Sequence, residues 1–211
     1  MRKNNTSHAT LKSKAKASKL RIIAGEWRSR QLPVPAIEGL RPTPDRVRET
    51  LFNWINHQIP GAVCGDLFCG SGALGLEALS RGAKSVLFVD NSRIVTQQMT
   101  TNLTTLGAKN AEVVAQNAAV FLETATPQAL DVIFLDPPFR KGWLAQIIPL
   151  LEKGWLAPRS LVYIEMEKEA NLPVLPNHWS LIKEKNAGQL VYRLFEVSLP
   201  IDPTLCDQKK S

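Results

Sequence analysis

Cysteine is scarce in this chain. Cys64, Cys69 and Cys206 are the only three, odd in number and without a C-x-x-C pair, which argues against a disulfide framework and against a zinc site. Histidine is equally sparse and scattered, at His8, His57 and His178, so no metal site is expected. Cys64 and Cys69 read instead as small buried apolar residues beside a loop. No run approaches the roughly 18 apolar residues of a membrane span, and no membrane partner is expected. The opening residues, MRKNNTSHATLKSKAKASKL, lack the apolar core of a secretory leader, so a cytoplasmic location is expected.

What is abundant is positive charge, and it is concentrated at one end. The 211 residues carry a net charge of +7. Through Arg48 there are twelve Lys or Arg against three acids, Glu26, Glu38 and Asp45; from Glu49 onward there are fourteen against sixteen. A charge run is often only a solvated tail. Here, however, Arg21, Arg28, Arg30, Arg41, Arg46 and Arg48 continue into sequence that reads as folded. A polyanionic partner, most simply nucleic acid, follows.

Residues 1–19 show no periodicity and read as a disordered basic tail. Residues 20–40 contain two β-prone runs around Trp27-Arg28-Ser29-Arg30, an N-terminal β-hairpin extension with arginines near its tip. Thr43 and Pro44 then suit the N-cap and first position of a helix of about 15 residues ending near Pro60. From there strands alternate with capped helices, which implies right-handed βαβ units: an α/β fold with a mostly parallel sheet covered by helices on both faces. WSLIKEK and QLVYRLFEV, with no helix between them, read as an antiparallel hairpin. The catalytic domain is therefore expected over residues 41–201, with a flexible end at 202–211.

Residues 66–79 read DLFCGSGALGLEAL. GSGALG satisfies the dinucleotide fingerprint G-x-G-x-x-G, and Asp90 follows at a distance suited to a ribose. Ligands of open α/β sheets bind at the carboxyl ends of the strands, where the tight turn at Gly70, Ser71 and Gly72 lets the backbone approach closely. Asp66 decides between cofactors. A pyrophosphate on this loop would lie beside a carboxylate, a repulsion of roughly 4 kcal/mol at 4 Å and an effective dielectric of 20. S-adenosyl-L-methionine, with its sulfonium and ammonium, is suited to the same place. Asp66 could alternatively cap the helix. Asn117, at the end of the third strand of the alternation, either meets an adenine edge or caps its own helix.

The fourth strand of the alternation delivers Asp136-Pro137-Pro138-Phe139 to the same rim. Two prolines remove two backbone donors and stiffen the chain. The Asp136 carboxylate and the Pro137 carbonyl then present adjacent acceptors, which match an exocyclic amine, and Phe139 offers a face for stacking a base. Hydrogen bonds to both amino hydrogens favour a more tetrahedral nitrogen with its lone pair directed at a methyl donor. The residues alone leave open whether the amine belongs to guanine, adenine or cytosine, in RNA or DNA.

DLFCGSGALG, Asp90 and DPPF in that order resemble class I S-adenosylmethionine-dependent amino-methyltransferases. Together with LRIIAGEWRSRQLPVP, GLRPTPDRVRETLFNW, DPPFRKG and AGQLVYRLFE, they are similar to the bacterial 16S rRNA guanine-N2 methyltransferase family, small-subunit methyltransferase D, from about Leu20 to Leu199. That resemblance implies a three-layer Rossmann-like α/β/α sandwich with a seven-stranded sheet whose last strand inserts antiparallel. It implies methylation of guanine 966 in 16S rRNA of the small ribosomal subunit, by a monomer without metal, with S-adenosyl-L-homocysteine as product. It assigns Asp136, Pro137 and Phe139 to catalysis. Thr43, within an RPT segment that nears the methionine end, joins Asp66, Phe68, Gly70, Ser71, Gly72, Asp90 and Asn117 at the cofactor. RNA contacts are expected from Arg21, Arg28, Arg30, Arg41, Arg140 and Lys141. Asn117 departs from the Asp that many members of the wider class carry there.

Overall fold

The computed structural model describes residues 18–37, 40, 43–139 and 141–199. Ser18–Arg21 (β1) and Gln31–Val34 (β2) pair antiparallel. The hairpin therefore begins two residues inside the expected tail, because Leu20 and Ile22 bury their side chains in the main core. Helix α1 is Asp45–Trp54, ten residues, shorter than expected at its carboxyl end. Pro44 is the N-cap residue, and no side chain caps the helix, so Thr43 does not do so. Ile55 and Ile59 are both fully buried, and a turn between them, with Gln58 N–H donating to the Ile55 carbonyl at 3.0 Å, brings Ile59 inward where a continued helix would not.

The alternation then runs Val63–Asp66 (β3), Ala73–Ser80 (α2), Ser85–Asp90 (β4), Arg93–Leu106 (α3), Ala111–Ala115 (β5), Ala118–Thr124 (α4), Leu130–Leu135 (β6), Trp143–Leu151 (α5) and Leu156–Glu167 (β7), followed by Trp179–Ala187 (β8) and Leu190–Ser198 (β9). The central strands are near-continuous apolar runs, VLFV in β4 and VIFL in β6, as strands buried on both faces must be. Strand β7 begins four residues before the expected Ser160; a register shift opposite Leu130 and Val132 accommodates Pro158, since proline is tolerated in a sheet at such irregularities.

The seven strands lie in the order β5-β4-β3-β6-β7-β9-β8, the first five parallel, with β9 antiparallel between β7 and β8. Strand order reverses between β3 and β6, so the crevice for a ligand opens beyond Asp66 and Asp136. One core lies on the face covered by α1, α2, α3 and the hairpin, and a second lies under α4 and α5.

A polar staple fixes the hairpin to the body. Glu77 of α2 has no exposed surface and accepts from the backbone N–H groups of Ile23 and Ala24 at 2.9 and 3.0 Å. It also pairs with Arg81 at 2.8 Å and with Arg48 at 3.4 Å. Arg48, 1% exposed, donates to the carbonyls of Arg21 and Thr43 and to Asp45. Arg48 thus belongs to the interior, not to the basic surface in which its sequence position placed it.

Candidate active site

One cavity of about 710 Å³ opens at the carboxyl ends of β3, β4 and β6, within the range typical of small-molecule sites. A smaller one of about 380 Å³ lies at the opposite ends, near Ala62, Asp131 and Ser160, away from the glycine loop, Asp90 and DPPF.

The glycine loop builds one half of the larger cavity. Gly72 adopts φ 76° at the start of α2, a left-handed conformation that suits glycine. Gly75 packs α2 on β4: a Cβ there would stand 2.2 Å from the Phe88 ring. Phe68, Gly70 and Ser71 line the cavity. Gly72 does not; it faces Met99 instead, so its contribution is to shape the turn. Asp90 accepts from the N–H groups of Gly70 and Ser92 at 3.0 and 2.8 Å, locking the loop to β4 while its carboxylate borders the cavity. Asn117 caps α4 through Oδ1, accepting from Ala119 and Val120, which leaves its NH2 group to donate toward a ligand. Its two expected roles are therefore compatible.

Asp66 is 3% exposed and accepts from the Gly75 N–H at 3.0 Å. It thus supports the first turn of α2 while also lining the cavity. Burial, opposed by the Gly75 hydrogen bond and reinforced by Asp90, pushes its pKa up to about 7. Burial also raises the Cys64 thiol to about 12 and the Cys69 thiol well above its usual range, so neither is a nucleophile at neutral pH.

Asp136, Pro137, Pro138 and Phe139 form the other half. Phe139 is 46% exposed at the mouth. Burial, with the charges of Glu165 and Asp66, holds the Asp136 carboxyl well above the ordinary range. Thr43 lines the same cavity.

Sequence reasoning missed Glu165 and Trp143. Glu165 of β7 is 4% exposed, lines the cavity and accepts from the Tyr163 hydroxyl at 3.0 Å. A carboxylate between Ile164 and Met166 in an otherwise buried strand is the signal that could have found it. Trp143 packs on Phe68 with ring centroids 5.7 Å apart, and its buried Nε1 has no partner among the described residues, leaving a donor for a ligand.

The expected RNA contacts fare unevenly. Arg28 and Lys141 are exposed. Arg21 makes a 3.4 Å exposed pair with Asp45, and Arg30 donates to the Thr105 carbonyl at 3.1 Å, at the electronegative end of α3. Arg41 and Arg140 lie outside the described residues.

A Rossmann-like sheet with an inserted antiparallel strand, carrying DPPF opposite a glycine loop, defines a methyltransferase of the α/β class. Residues 20–196 match the model of a family described as Conserved hypothetical protein 95. Ribosomal RNA small subunit methyltransferase D of Escherichia coli K12 is 54% identical over 182 residues, 85% of this chain and 91% of that protein. The Haemophilus influenzae protein of the same name is 49% identical over 84% of this chain and 93% of its own. The solved structure of Escherichia coli yhhF, 49% identical, superposes with a TM-score of 0.81 over 87% of this chain and all of that one. The chain belongs to this family of methyltransferases, that of ribosomal RNA small subunit methyltransferase D.

Proposed function

We propose that the protein transfers a methyl group from S-adenosyl-L-methionine to the exocyclic N2 amine of a guanine, guanine 966, in 16S rRNA of the small ribosomal subunit. The observation that carries this reading is the charge of the cavity. Asp66, Asp90, Asp136 and Glu165 line it, and no Lys or Arg does so among the described residues. Burial, reinforced at Asp66 and Asp136 by neighbouring carboxylates, pushes the Asp66, Asp136 and Glu165 carboxyls toward the neutral form. A sulfonium and an ammonium would favour their ionised form and a pyrophosphate would oppose it, which favours this cofactor over a dinucleotide. The names of the curated relatives supply the small-subunit rRNA.

When bound, the cofactor supplies an electrophilic methyl carbon. Asp66 meets its positive end, near Thr43; Asp90 receives the ribose hydroxyls; Asn117 donates to the adenine, beside Phe68 and the Gly70-Ser71 backbone. Asp136 and the Pro137 carbonyl accept from the two amino hydrogens, turning the lone pair toward the donor, while Phe139 stacks on the base. The nitrogen would take the methyl as the methyl carbon's bond to sulfur breaks, leaving S-adenosyl-L-homocysteine, and would shed a proton to Asp136 or to solvent. The base must be unpaired or flipped to enter. Exposed Arg28 and Lys141 are suited to phosphates, and the same role is proposed for Arg41 and Arg140.

The test is mass mapping of 16S rRNA from cells lacking the gene, with and without the purified enzyme added back. Loss and restoration of one N2-methylguanine is expected. Restored methylation on another amine would favour an adenine or cytosine target instead.

A further inference from the structure

The amine-binding corner contains a second carboxylate that the DPPF chemistry does not use. In the parallel register of β6 and β7, Phe134 lies opposite Tyr163 and Leu135 opposite Ile164. The next rung brings Glu165 level with Asp136, and both border the same cavity. Glu165 is 4% exposed. Burial pushes its carboxyl above the ordinary range; against this the Tyr163 hydroxyl, donating to Oε2 at 3.0 Å, favours the carboxylate form and leaves Oε1 to accept from a ligand. Burying a charge beside another of the same sign is costly, and carboxylates are rarely buried without a cationic partner. A ligand donor at this point would satisfy Glu165.

We infer that Glu165 selects the base, its free carboxylate oxygen accepting the ring N1–H of the guanine whose amine is held by Asp136 and the Pro137 carbonyl. This rests on the guanine reading proposed above. Three common bases carry an exocyclic amine, but they differ at the ring nitrogen beside it. In guanine that nitrogen, N1, bears a hydrogen. In adenine and cytosine the corresponding nitrogens, N1 and N3, bear lone pairs. A carboxylate placed there binds guanine and meets the other two lone pair to lone pair. DPPF presents acceptors to any amine; Glu165 adds the hydrogen bond that distinguishes one amine from the rest. Sites built to hydrogen-bond a substrate group reject analogues lacking it far more strongly than apolar pockets do.

The experiment compares small-subunit particles reconstituted with guanine or with 2-aminopurine at the target. 2-Aminopurine keeps the C2 amine but has a lone pair at N1. The wild-type enzyme is expected to prefer guanine by roughly 100-fold or more in kcat/KM. In Glu165→Gln the amide can turn its NH2 toward that lone pair. The preference is expected to fall by about tenfold or more, through loss on guanine and gain on 2-aminopurine, with S-adenosylhomocysteine affinity retained. Glu165→Ala is expected to lose on guanine without the gain. A wild-type enzyme that methylates both bases alike overturns the inference, whatever the variants do. So does a Glu165→Gln enzyme that binds S-adenosylhomocysteine yet keeps the wild-type preference within about twofold, since that is the behaviour of a strut and not a reader. If wild type forms no N2-methylguanine at all, the guanine reading fails as well, so the two failures are told apart.

Discussion

Arg48 and Glu77 form an ion pair of 3.4 Å in which neither side chain has appreciable exposed surface, 1% and 0% respectively. Through it three separate segments are tied together: the backbone of Ile23 and Ala24, the Thr43 carbonyl beside the cavity, and helix α2. Removing Arg48 leaves the buried Glu77 with Arg81 as its one cationic partner among the described residues and takes the donor from the Arg21 and Thr43 carbonyls. Arg48→Ala is therefore expected to lower unfolding stability by about 3–5 kcal/mol, whereas Arg46→Ala, at an exposed position of the same helix, should change it little. Urea denaturation of the two variants checks this.

Asp66 couples stability to pH in the direction opposite to that of a salt-bridged acid. Its pKa is about 7 in the folded protein against an ordinary 3.8. Between those values the unfolded chain releases a proton that the native state keeps, so this group lowers stability as pH rises, and the loss levels off above about 7. The displacement corresponds to about 4 kcal/mol at most. Asp66→Asn, which retains an oxygen for the Gly75 N–H, is expected to raise the Tm of the ligand-free protein at pH 8 and to leave it nearly unchanged at pH 4.

The same group is expected to make cofactor binding depend on pH. A cationic cofactor requires the ionised form of Asp66, so affinity for S-adenosylmethionine should fall as pH drops through about 7 and proton release should accompany binding. Calorimetry in two buffers of different ionisation enthalpy measures that release. Asp66→Asn should bind weakly at every pH and release no proton from this site.

Asp136→Ala should act on rate. It removes one acceptor from the amine and leaves the glycine loop intact, so turnover is expected to drop on the order of 100-fold or more while cofactor affinity changes modestly. Near-wild-type methylation of undermethylated small subunits would exclude an amine-orienting role for DPPF.

The basic end should govern the salt response. Deleting residues 1–17 together with Arg28→Ala should flatten the dependence of RNA affinity on salt. The log–log slope should shrink by about 0.9 for each duplex phosphate no longer neutralised and by about 0.7 for each single-stranded one. Arg30→Ala belongs to a different category: its guanidinium caps α3 at Thr105, so stability should fall along with affinity. Salt titration beside thermal melts separates the two.

How much of this was legible in the sequence depends on whether local pattern or tertiary placement decides the residue. The alternation of strands with capped helices was legible: Ser92 caps α3 at its start and Gly107, at φ 72°, ends it, because backbone conformation and capping are local. The loop-and-DPPF pairing was legible because each motif ends a strand. Arg48 was not, since an arginine two residues from Arg46 on one helix looks the same whether it meets water or Glu77. Glu165 was masked by its neighbours: β7 reads as a strand with or without it, and only the register against β6 brings it to Asp136.

The placement of β9 bears on how the enzyme comes into being. Strand β9 lies between β7 and β8, both of which precede it in the chain, and Glu165 stands opposite Tyr192 in that pairing. While synthesis has passed β8 but not residue 198, β7 has an unpaired edge of the kind that invites association with other chains. Leu190, the first residue of β9, is also part of the cavity wall. The corner lined by Asp136, Glu165 and Leu190 thus closes only when a later strand has been threaded between two earlier ones, so a chain halted before β9 has no complete cavity.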